Sequence, residues 1–112
     1  MRPLGAPVEV LERSGTTTVA RLVVAADDPV FAGHFPGLPI LPGVRLVEFA
    51  HRAATVDRPS RLVGVESCRF LRPVFPGAVL TARLTRDDSR CAAVVSDADG
   101  VVARITLRYE AV

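Results

Sequence analysis

One histidine and one glutamate stand where acid–base chemistry could be done. His34 lies in a segment rich in proline and glycine, residues 33–43, and Glu48 lies just beyond it. Prolines and glycines fix the backbone of such a segment, and a connection as long as residues 26–42 is more often functional than idle. An imidazole with an unperturbed pKa near 6.5 is mostly neutral at pH 7. We therefore expect His34 to act as a base and Glu48 as the matching acid.

A third group suited to catalysis is the backbone N–H at the start of the helix that carries Glu48. The pair Pro42-Gly43 precedes an apolar run with helical period. The first N–H groups of a helix have no acceptor within it and lie at its positive end. Gly43 is thus predicted to stabilise negative charge that develops on an oxygen. The competing interpretation is a glycine that serves only the turn after Pro42.

Metal binding and thiol chemistry have weaker support in the sequence. Glu48 and His51 form one Glu-x-x-His pair, but the chain has only two histidines, so no metal site is predicted. Cys68 and Cys91 lie far apart with no paired spacing. We expect Cys68 to be a packed thiol and Tyr109 to be a core residue of the last strand.

The helix that positions Glu48 is predicted to begin at Gly43 or Val44 and to end near Ala54. Its apolar residues cover a wide arc that should face the core. The charged residues gather on the remaining side: Arg45, Glu48, His51 and Arg52. Arg52 lies four residues after Glu48, the favourable order for a helical ion pair. Such a pair would stabilise the charged carboxylate and oppose a role as acid.

Strand patterns occupy most of the remaining chain. Residues 7–12 and 16–24 precede the helix, and alternating apolar and polar positions follow it. The expected strands after the helix are 62–71, 78–85, 90–96 and 101–110, with a hairpin turn at Asp99-Gly100. Two strands, one helix and four antiparallel strands predict an α+β fold in which one sheet wraps one helix.

Composition narrows the functional classes. The chain has 112 residues, 49% of them hydrophobic, which predicts a single domain over residues 1–112. A net charge of +2 with both signs spread along the chain does not indicate nucleic acid, although a pI near 8.9 suits an acidic partner. No apolar run approaches the roughly 20 residues that span a bilayer. With no signal-peptide pattern at the start, we expect a cytoplasmic protein that does not bind membranes.

Two segments resemble the 3-hydroxyacyl-acyl-carrier-protein dehydratases, which have the hot-dog fold. The first is His34-Phe35-Pro36-Gly37, Pro39, Pro42-Gly43-Val44 and Glu48, and the second is the Phe-x-Arg-Pro-Val-x-Pro-Gly pattern of residues 70–77. The longer lead-in that the family carries before its second strand is missing here. The resemblance implies dehydration of 3-hydroxyacyl thioesters in fatty-acid or polyketide-type biosynthesis, without a cofactor.

The resemblance also assigns the site and its partners. It implies catalytic roles for His34, Glu48 and Gly43, with the histidine and the glutamate of one site contributed by different subunits of a homodimer or larger homo-oligomer. The residues implied to contact substrate are Phe35, Pro36, Gly37, Pro42, Val44 and Arg52. An acidic acyl carrier protein would deliver the substrate, and either Arg69 with Arg72 or Arg45 with Arg52 would meet it.

Three residues near Glu48 depart from the family pattern and keep alternatives open. Arg45 stands where the family has an apolar residue, and His51 and Arg52 stand where it has alanine and glutamine. One alternative is a thioesterase, since one fold supports several thioester reactions. Another is a non-catalytic, carrier-binding subunit that completes a partner's half-site.

Overall fold

The computed structural model of the chain describes residues 6–31 and 40–111. In chain order its elements are β1 (Glu9–Ser14), β2 (Thr17–Val23), a 3-10 turn (Pro29–Phe31), α1 (Gly43–Thr55), β3 (Leu62–Phe70), β4 (Val79–Arg86), β5 (Arg90–Asp97) and β6 (Gly100–Tyr109). The predicted α+β order is confirmed, and the predicted ends lie within two residues of these.

The six strands form one antiparallel sheet in the order β1-β2-β4-β5-β6-β3. Short hairpins make the neighbours β1-β2, β4-β5 and β5-β6. Gly15 and Gly100 have positive φ angles of 58° and 130° in the tight turns, which side chains disfavour. β3 follows the helix and pairs with β6, so it forms one edge of the sheet.

Helix α1 packs across one face of the sheet and contacts β2 through β6. Its apolar side chains recur at helical spacing, and Phe49 is fully buried at the centre of the core. The inward side chains of the strands alternate with outward ones and complete this core. Tyr109 is among them, which confirms its predicted place.

Two predicted environments are wrong. Arg45 was expected on the charged side of the helix but is buried. The surface of α1 that faces the core extends beyond its apolar residues and includes this position. Cys68 was expected to be packed but is exposed. It lies on the edge strand β3, which α1 covers only in part, so most of the residues of this strand reach solvent.

Candidate functional site

The structure describes only part of the predicted site. Glu48, Gly43, Pro42, Val44 and Arg52 lie on or next to α1. The motif residues His34, Phe35, Pro36 and Gly37 fall outside the described residues, so their roles stay predictions. The described residues fix the helix start and the surroundings of the glutamate.

The start of α1 is held by backbone contacts rather than by a capping side chain. Pro42 has φ −59° and ψ 138°, and its carbonyl accepts the N–H of Arg45 at 2.9 Å. The N–H of Leu41 donates to the carbonyl of Val74 at 2.7 Å, which ties the chain before the helix to the loop after β3. The helix therefore begins at Gly43 as predicted, at a position fixed against the sheet.

Gly43 lies directly beneath an aromatic ring from the edge strand. A Cβ atom at this position would stand 2.5 Å from the ring of Phe70. Since real Cβ contacts are much longer, the absence of a side chain is what allows Phe70 to lie over the helix start. The sequence analysis singled out Gly43 but not the ring that constrains it, because their contact joins segments far apart in sequence.

An apolar cavity of about 510 Å³ opens at this helix start. Its lining includes Ile40, Pro42, Gly43, Val44, Phe70 and Leu71. Val44 and Phe70 are each about half exposed, so the cavity is open on one side. An apolar cavity beside helix N–H groups suits an acyl chain whose polar end meets the helix.

Glu48 is paired with two arginines of its own helix. One carboxylate oxygen lies 2.7 Å from Nη1 of Arg45, and the other lies 3.8 Å from Nη1 of Arg52. The predicted pair with Arg52 is therefore present, but Arg45 makes the closer contact. Arg52 also donates from Nη2 to the carbonyl of Ala6 at 2.8 Å, which anchors the segment before β1 to the helix.

Arg45 is a buried cation whose hydrogen-bonding capacity is only partly used. Its residue is 4% exposed, and its Nε is a buried donor with no acceptor among residues 6–31 and 40–111. Burial of a guanidinium is costly unless it is paired, and here Glu48 supplies the pairing charge. The two residues thus form one unit in which the carboxylate is held in a fixed orientation.

A second polar cluster lies toward the C-terminal end of α1. Nδ1 of His51 lies 2.9 Å from the hydroxyl of Tyr109, and the guanidinium of Arg86 lies 4.1 Å from the centre of that tyrosine ring. Burial, and then the positive charge of Arg86, lower the pKa of His51 below its ordinary value. Burial raises the pKa of Tyr109 to about 12, so its hydroxyl stays protonated.

Arg86 differs from Arg45 in having partners for most of its donors. Nη1 donates to the carbonyl of Ala54 at 2.8 Å, and Nη2 donates to the hydroxyl of Ser60 at 2.6 Å. It thereby joins β4 to the end of α1. Sequence analysis missed this residue because the predicted strand ended at residue 85, although the inward alternation of Leu80, Ala82 and Leu84 continues to Arg86.

The described residues hold no group of three or more histidine, cysteine, aspartate or glutamate side chains that could bind a metal ion. The buried thiol of Cys91 has its pKa raised to about 11, first by desolvation, so it stays protonated and unreactive. Within the described ranges, no helix is long and apolar enough to cross a membrane. Among the described residues, the site offers an ion-paired carboxylate on α1 and an apolar cavity at the start of the same helix.

Comparison with known sequences identifies relatives of one kind. The family model described as ApeI-like, ApeI dehydratase, matches residues 10–104. The FabZ 3-hydroxyacyl-[acyl-carrier-protein] dehydratase of Polynucleobacter necessarius is 35% identical over 108 residues, covering 84% of this chain and 72% of that protein. The Chlamydia trachomatis enzyme of the same name is 40% identical over 78 residues, covering 60% of this chain but only 51% of that protein.

Comparison with solved structures shows the same architecture. The dehydratase heterocomplex ApeI:P from Xenorhabdus doucetiae has a TM-score of 0.80 at 20% identity, covering 97% of this chain and 98% of that one. The PaaI protein of Escherichia coli has a TM-score of 0.69 at 21% identity, covering 97% of this chain and 80% of that one. At such low identities these likenesses show the fold alone.

Proposed function

The chain belongs to the ApeI-like dehydratase family, and from that premise we propose that it removes water from 3-hydroxyacyl thioesters to give trans-2-enoyl thioesters. The family match carries this proposal, because it spans both Glu48 and the segment with His34. The hot-dog fold predicted from the resemblance is confirmed. The chain covers about half the length of several of the relatives it matches, so substrate and partners are proposed rather than transferred.

The proposed reaction uses His34 as the base that takes a proton from the carbon next to the thioester carbonyl. The electron pair left on that carbon forms the new double bond as the C–O bond to the 3-hydroxyl breaks. Negative charge on the carbonyl oxygen is stabilised by the N–H of Gly43 at the positive end of α1. The imidazolium then gives its proton to the departing hydroxyl, so water leaves and the histidine returns to its starting state.

We propose that Glu48 serves this reaction as a hydrogen-bond acceptor. Its carboxylate is held in place by Arg45, whose Nη1 lies 2.7 Å from one of its oxygens. It can accept a hydrogen bond from the 3-hydroxyl and hold that group beside the imidazolium. We propose that Glu48 positions the leaving group while His34 carries the proton, which revises the acid role expected from the sequence.

Substrate contacts follow from the cavity. Pro42 lines it, Val44 stands exposed at its rim, and the ring of Phe70 covers the helix start. We propose that the acyl chain and the end of its thioester arm occupy this space, together with Phe35, Pro36 and Gly37 of the motif. Arg52, half-buried beside Glu48, would contact the polar end of the substrate.

A second protomer is expected at the edge strand β3. This strand is nine residues long and bears exposed apolar side chains, among them Val63, Val65 and Phe70. An exposed apolar edge strand is a template for pairing with another chain. The opposite edge, β1, is shorter and carries Glu9, Glu12 and Arg13. We propose that β3 strands of two protomers pair in a homodimer, so that His34 of one protomer serves Glu48 of the other.

Two other functions have specific support. The X. doucetiae structure is a heterocomplex, and a second hot-dog chain in place of a second copy would make this protein one half of a mixed dimer. A carboxylate held in place on α1 would also suit a base that activates water for thioester hydrolysis. A mixed dimer would be recognised by a protein that is inactive alone, and a thioesterase by release of free thiol.

We further propose that the protein resides in the cytoplasm and that its substrate is bound to an acyl carrier protein.

Mixing two inactive variants tests the shared site. His34→Ala removes the base, and Glu48→Ala removes the group that holds the hydroxyl, so each homodimer should hydrate crotonyl-pantetheine far more slowly than the wild type. In an equal mixture that exchanges subunits, about half of the dimers hold one copy of each variant and thus one intact site in two. About a quarter of wild-type activity should return, measured as loss of enoyl absorbance.

Double variants provide the control. A chain with both substitutions is mixed with wild type. If the two residues of a site come from different subunits, the mixed dimers hold no intact site, and only wild-type homodimers are active. No recovery in the first mixture, despite proven subunit exchange, would show that each site lies within one protomer.

A further inference from the structure

Four arginines on the outer face of the sheet define what we call the basic face: Arg69, Arg83, Arg104 and Arg108. Side chains alternate along each strand, and α1 covers the inner face only. On β6 the inward residues are buried, whereas Arg104 and Arg108 are exposed on the side away from the helix. All four side chains therefore point to solvent on the same side of the sheet.

Strand register places three of these arginines in one row across the sheet. Arg83 on β4 lies opposite Val94 on β5, Val94 lies opposite Arg104 on β6, and Arg104 lies opposite Arg69 on β3. Neighbouring strands are about 4.8 Å apart, so the row spans only a few strand spacings. Arg108 lies four residues beyond Arg104 on the same strand.

The basic face holds unpaired positive charge, unlike the rest of the described chain. None of its four arginines has a carboxylate partner within residues 6–31 and 40–111. The other arginines in that part of the chain that pair with a carboxylate are Arg13, Arg21, Arg45, Arg52, Arg58, Arg61, Arg72 and Arg90. Arg86 is buried and hydrogen-bonded instead. The unpaired guanidinium groups are thus concentrated on one surface.

This arrangement is unfavourable in the isolated protein. Like charges directly opposite each other on neighbouring strands destabilise a sheet, and Arg69 faces Arg104 in this way. Other carboxylates on this face lie apart from these two residues or are already paired: Glu12 on β1 is at the far end of the row, and Glu66 on β3 is ion-paired with Arg90, which lies opposite Arg108. An acidic partner laid across the row would remove the repulsion and gain charge-assisted hydrogen bonds.

On the premise of the dehydratase function above, we propose that the basic face is where an acidic acyl carrier protein docks. Guanidinium groups pair well with carboxylates, and several in a row match the regularly spaced acidic residues of a helix or loop. The sequence analysis had offered Arg69 with Arg72, or Arg45 with Arg52. The structure pairs Arg72 with Asp97 and Arg45 with Glu48, which leaves Arg69 as the member suited to a partner.

The basic face also lies close to the proposed site. Arg69 immediately precedes Phe70, whose ring lies over Gly43 on the inner side of the same strand. A carrier bound at this end of the row would stand about one sheet thickness from the helix start. Its flexible arm could then pass around the end of β3 into the apolar cavity.

Other occupants fit this surface less well. A second copy would bring its own arginines against these, and like charges oppose such packing. Single-stranded nucleic acid is bound by basic grooves with aromatic side chains on which bases stack. The outward positions of β2, β4, β5 and β6 carry no aromatic residue.

The test compares a carrier-bound substrate with a small one. Arg83→Glu/Arg104→Glu reverses two charges on central strands, away from the edge that we expect to pair. Relative to wild type, kcat/KM for crotonyl-carrier should fall at least about tenfold more than kcat/KM for crotonyl-pantetheine. Fluorescence anisotropy of a labelled holo-carrier protein should show the same loss of binding, whatever the turnover.

Arg58→Glu/Arg61→Glu is the matched control, because it changes the net charge equally at exposed arginines outside the basic face. It should bind the carrier as wild type does. Equal losses in both double variants, or equal losses for both substrates, would overturn the docking surface. The proposal would also be overturned if Arg83→Glu/Arg104→Glu changed the oligomeric state in sedimentation, or if it lost binding to a labelled oligonucleotide but kept binding to the carrier. Failure of wild type to hydrate crotonyl-pantetheine would refute the proposed reaction alone, since anisotropy tests docking separately.

Discussion

Two arginines are buried in the described part of the chain, Arg45 in the first turn of α1 and Arg86 beside its last turn, and they show how differently the same side chain is used. Arg86 gives its donors to Ala54 and Ser60 and lies over the ring of Tyr109. Arg45 has one strong partner, Glu48, and a buried Nε without an acceptor in the described part of the chain. An arginine whose N–H donors all have acceptors holds structural elements together. An arginine with a donor that lacks an acceptor suits a site in which a substrate supplies one.

Loss of Arg86 should have the largest effect, and it should fall on stability. Arg86→Met leaves the carbonyl of Ala54 and the hydroxyl of Ser60 without their donor and removes the contact with Tyr109. Unmade hydrogen bonds of this kind cost about 1–3 kcal/mol each, so we expect about 2–4 kcal/mol less free energy of unfolding. Urea denaturation measures this. Activity per folded molecule should stay unchanged. A large loss of activity would contradict the claim that Arg86 serves the fold whereas Arg45 serves the site.

Loss of Arg45 should have the opposite signature. Arg45→Met removes a buried cation and leaves Glu48, which is partly exposed and keeps Arg52 at 3.8 Å. We expect stability within about 1 kcal/mol of wild type, since the remaining carboxylate is not left buried without a cation but keeps Arg52 and contact with solvent. The carboxylate loses its fixed orientation, so kcat/KM should fall about tenfold, or 1.4 kcal/mol.

Arg52→Gln is the control for that variant. It removes the longer of the two contacts with Glu48 and leaves the 2.7 Å pair in place. Because the orientation of Glu48 is kept, kcat for hydration of a crotonyl thioester should be preserved or raised, and any loss should fall on KM, through the substrate contact proposed for Arg52. A loss equal to that of Arg45→Met would assign the orientation of Glu48 to both arginines alike.

The smallest effect should come from the histidine beside Arg86. The folded state lowers the pKa of His51, so the unfolded chain takes up a proton more readily once the pH drops below its ordinary value of 6.5. This contribution to stability is complete above pH 6.5 and is lost as the pH falls from there toward the folded pKa. The midpoint of urea unfolding should fall over this range in wild type. His51→Asn, which keeps a partner for the Tyr109 hydroxyl, should show a shallower fall, and an unchanged profile would exclude His51 as its source.

The sequence predicted the elements well because they depend on local patterns. The apolar period defines α1 from its start at Gly43, and alternation defines β6. It did not predict the exposure of Cys68 or the ring of Phe70 over Gly43. Both depend on β3 lying at the sheet edge, which is a matter of strand order rather than of local pattern.

The site divides in the same way. The motif from His34 to Glu48 could be recognised from residue types and spacing. The burial of Arg45 could not, because helical spacing places it near Glu48 without saying how far the core extends around the helix. Sequence favoured Arg52 as the partner of Glu48, and packing made Arg45 the closer one.

The most direct test of the dehydratase account follows two signals in one reaction. Wild-type protein is mixed with crotonyl-pantetheine, and enoyl absorbance and free thiol are recorded together. We expect the absorbance to fall to a hydration equilibrium without thiol release, and His34→Ala to leave it unchanged. Stoichiometric release of thiol by the wild type, abolished by Glu48→Ala, would contradict the account and identify a thioesterase.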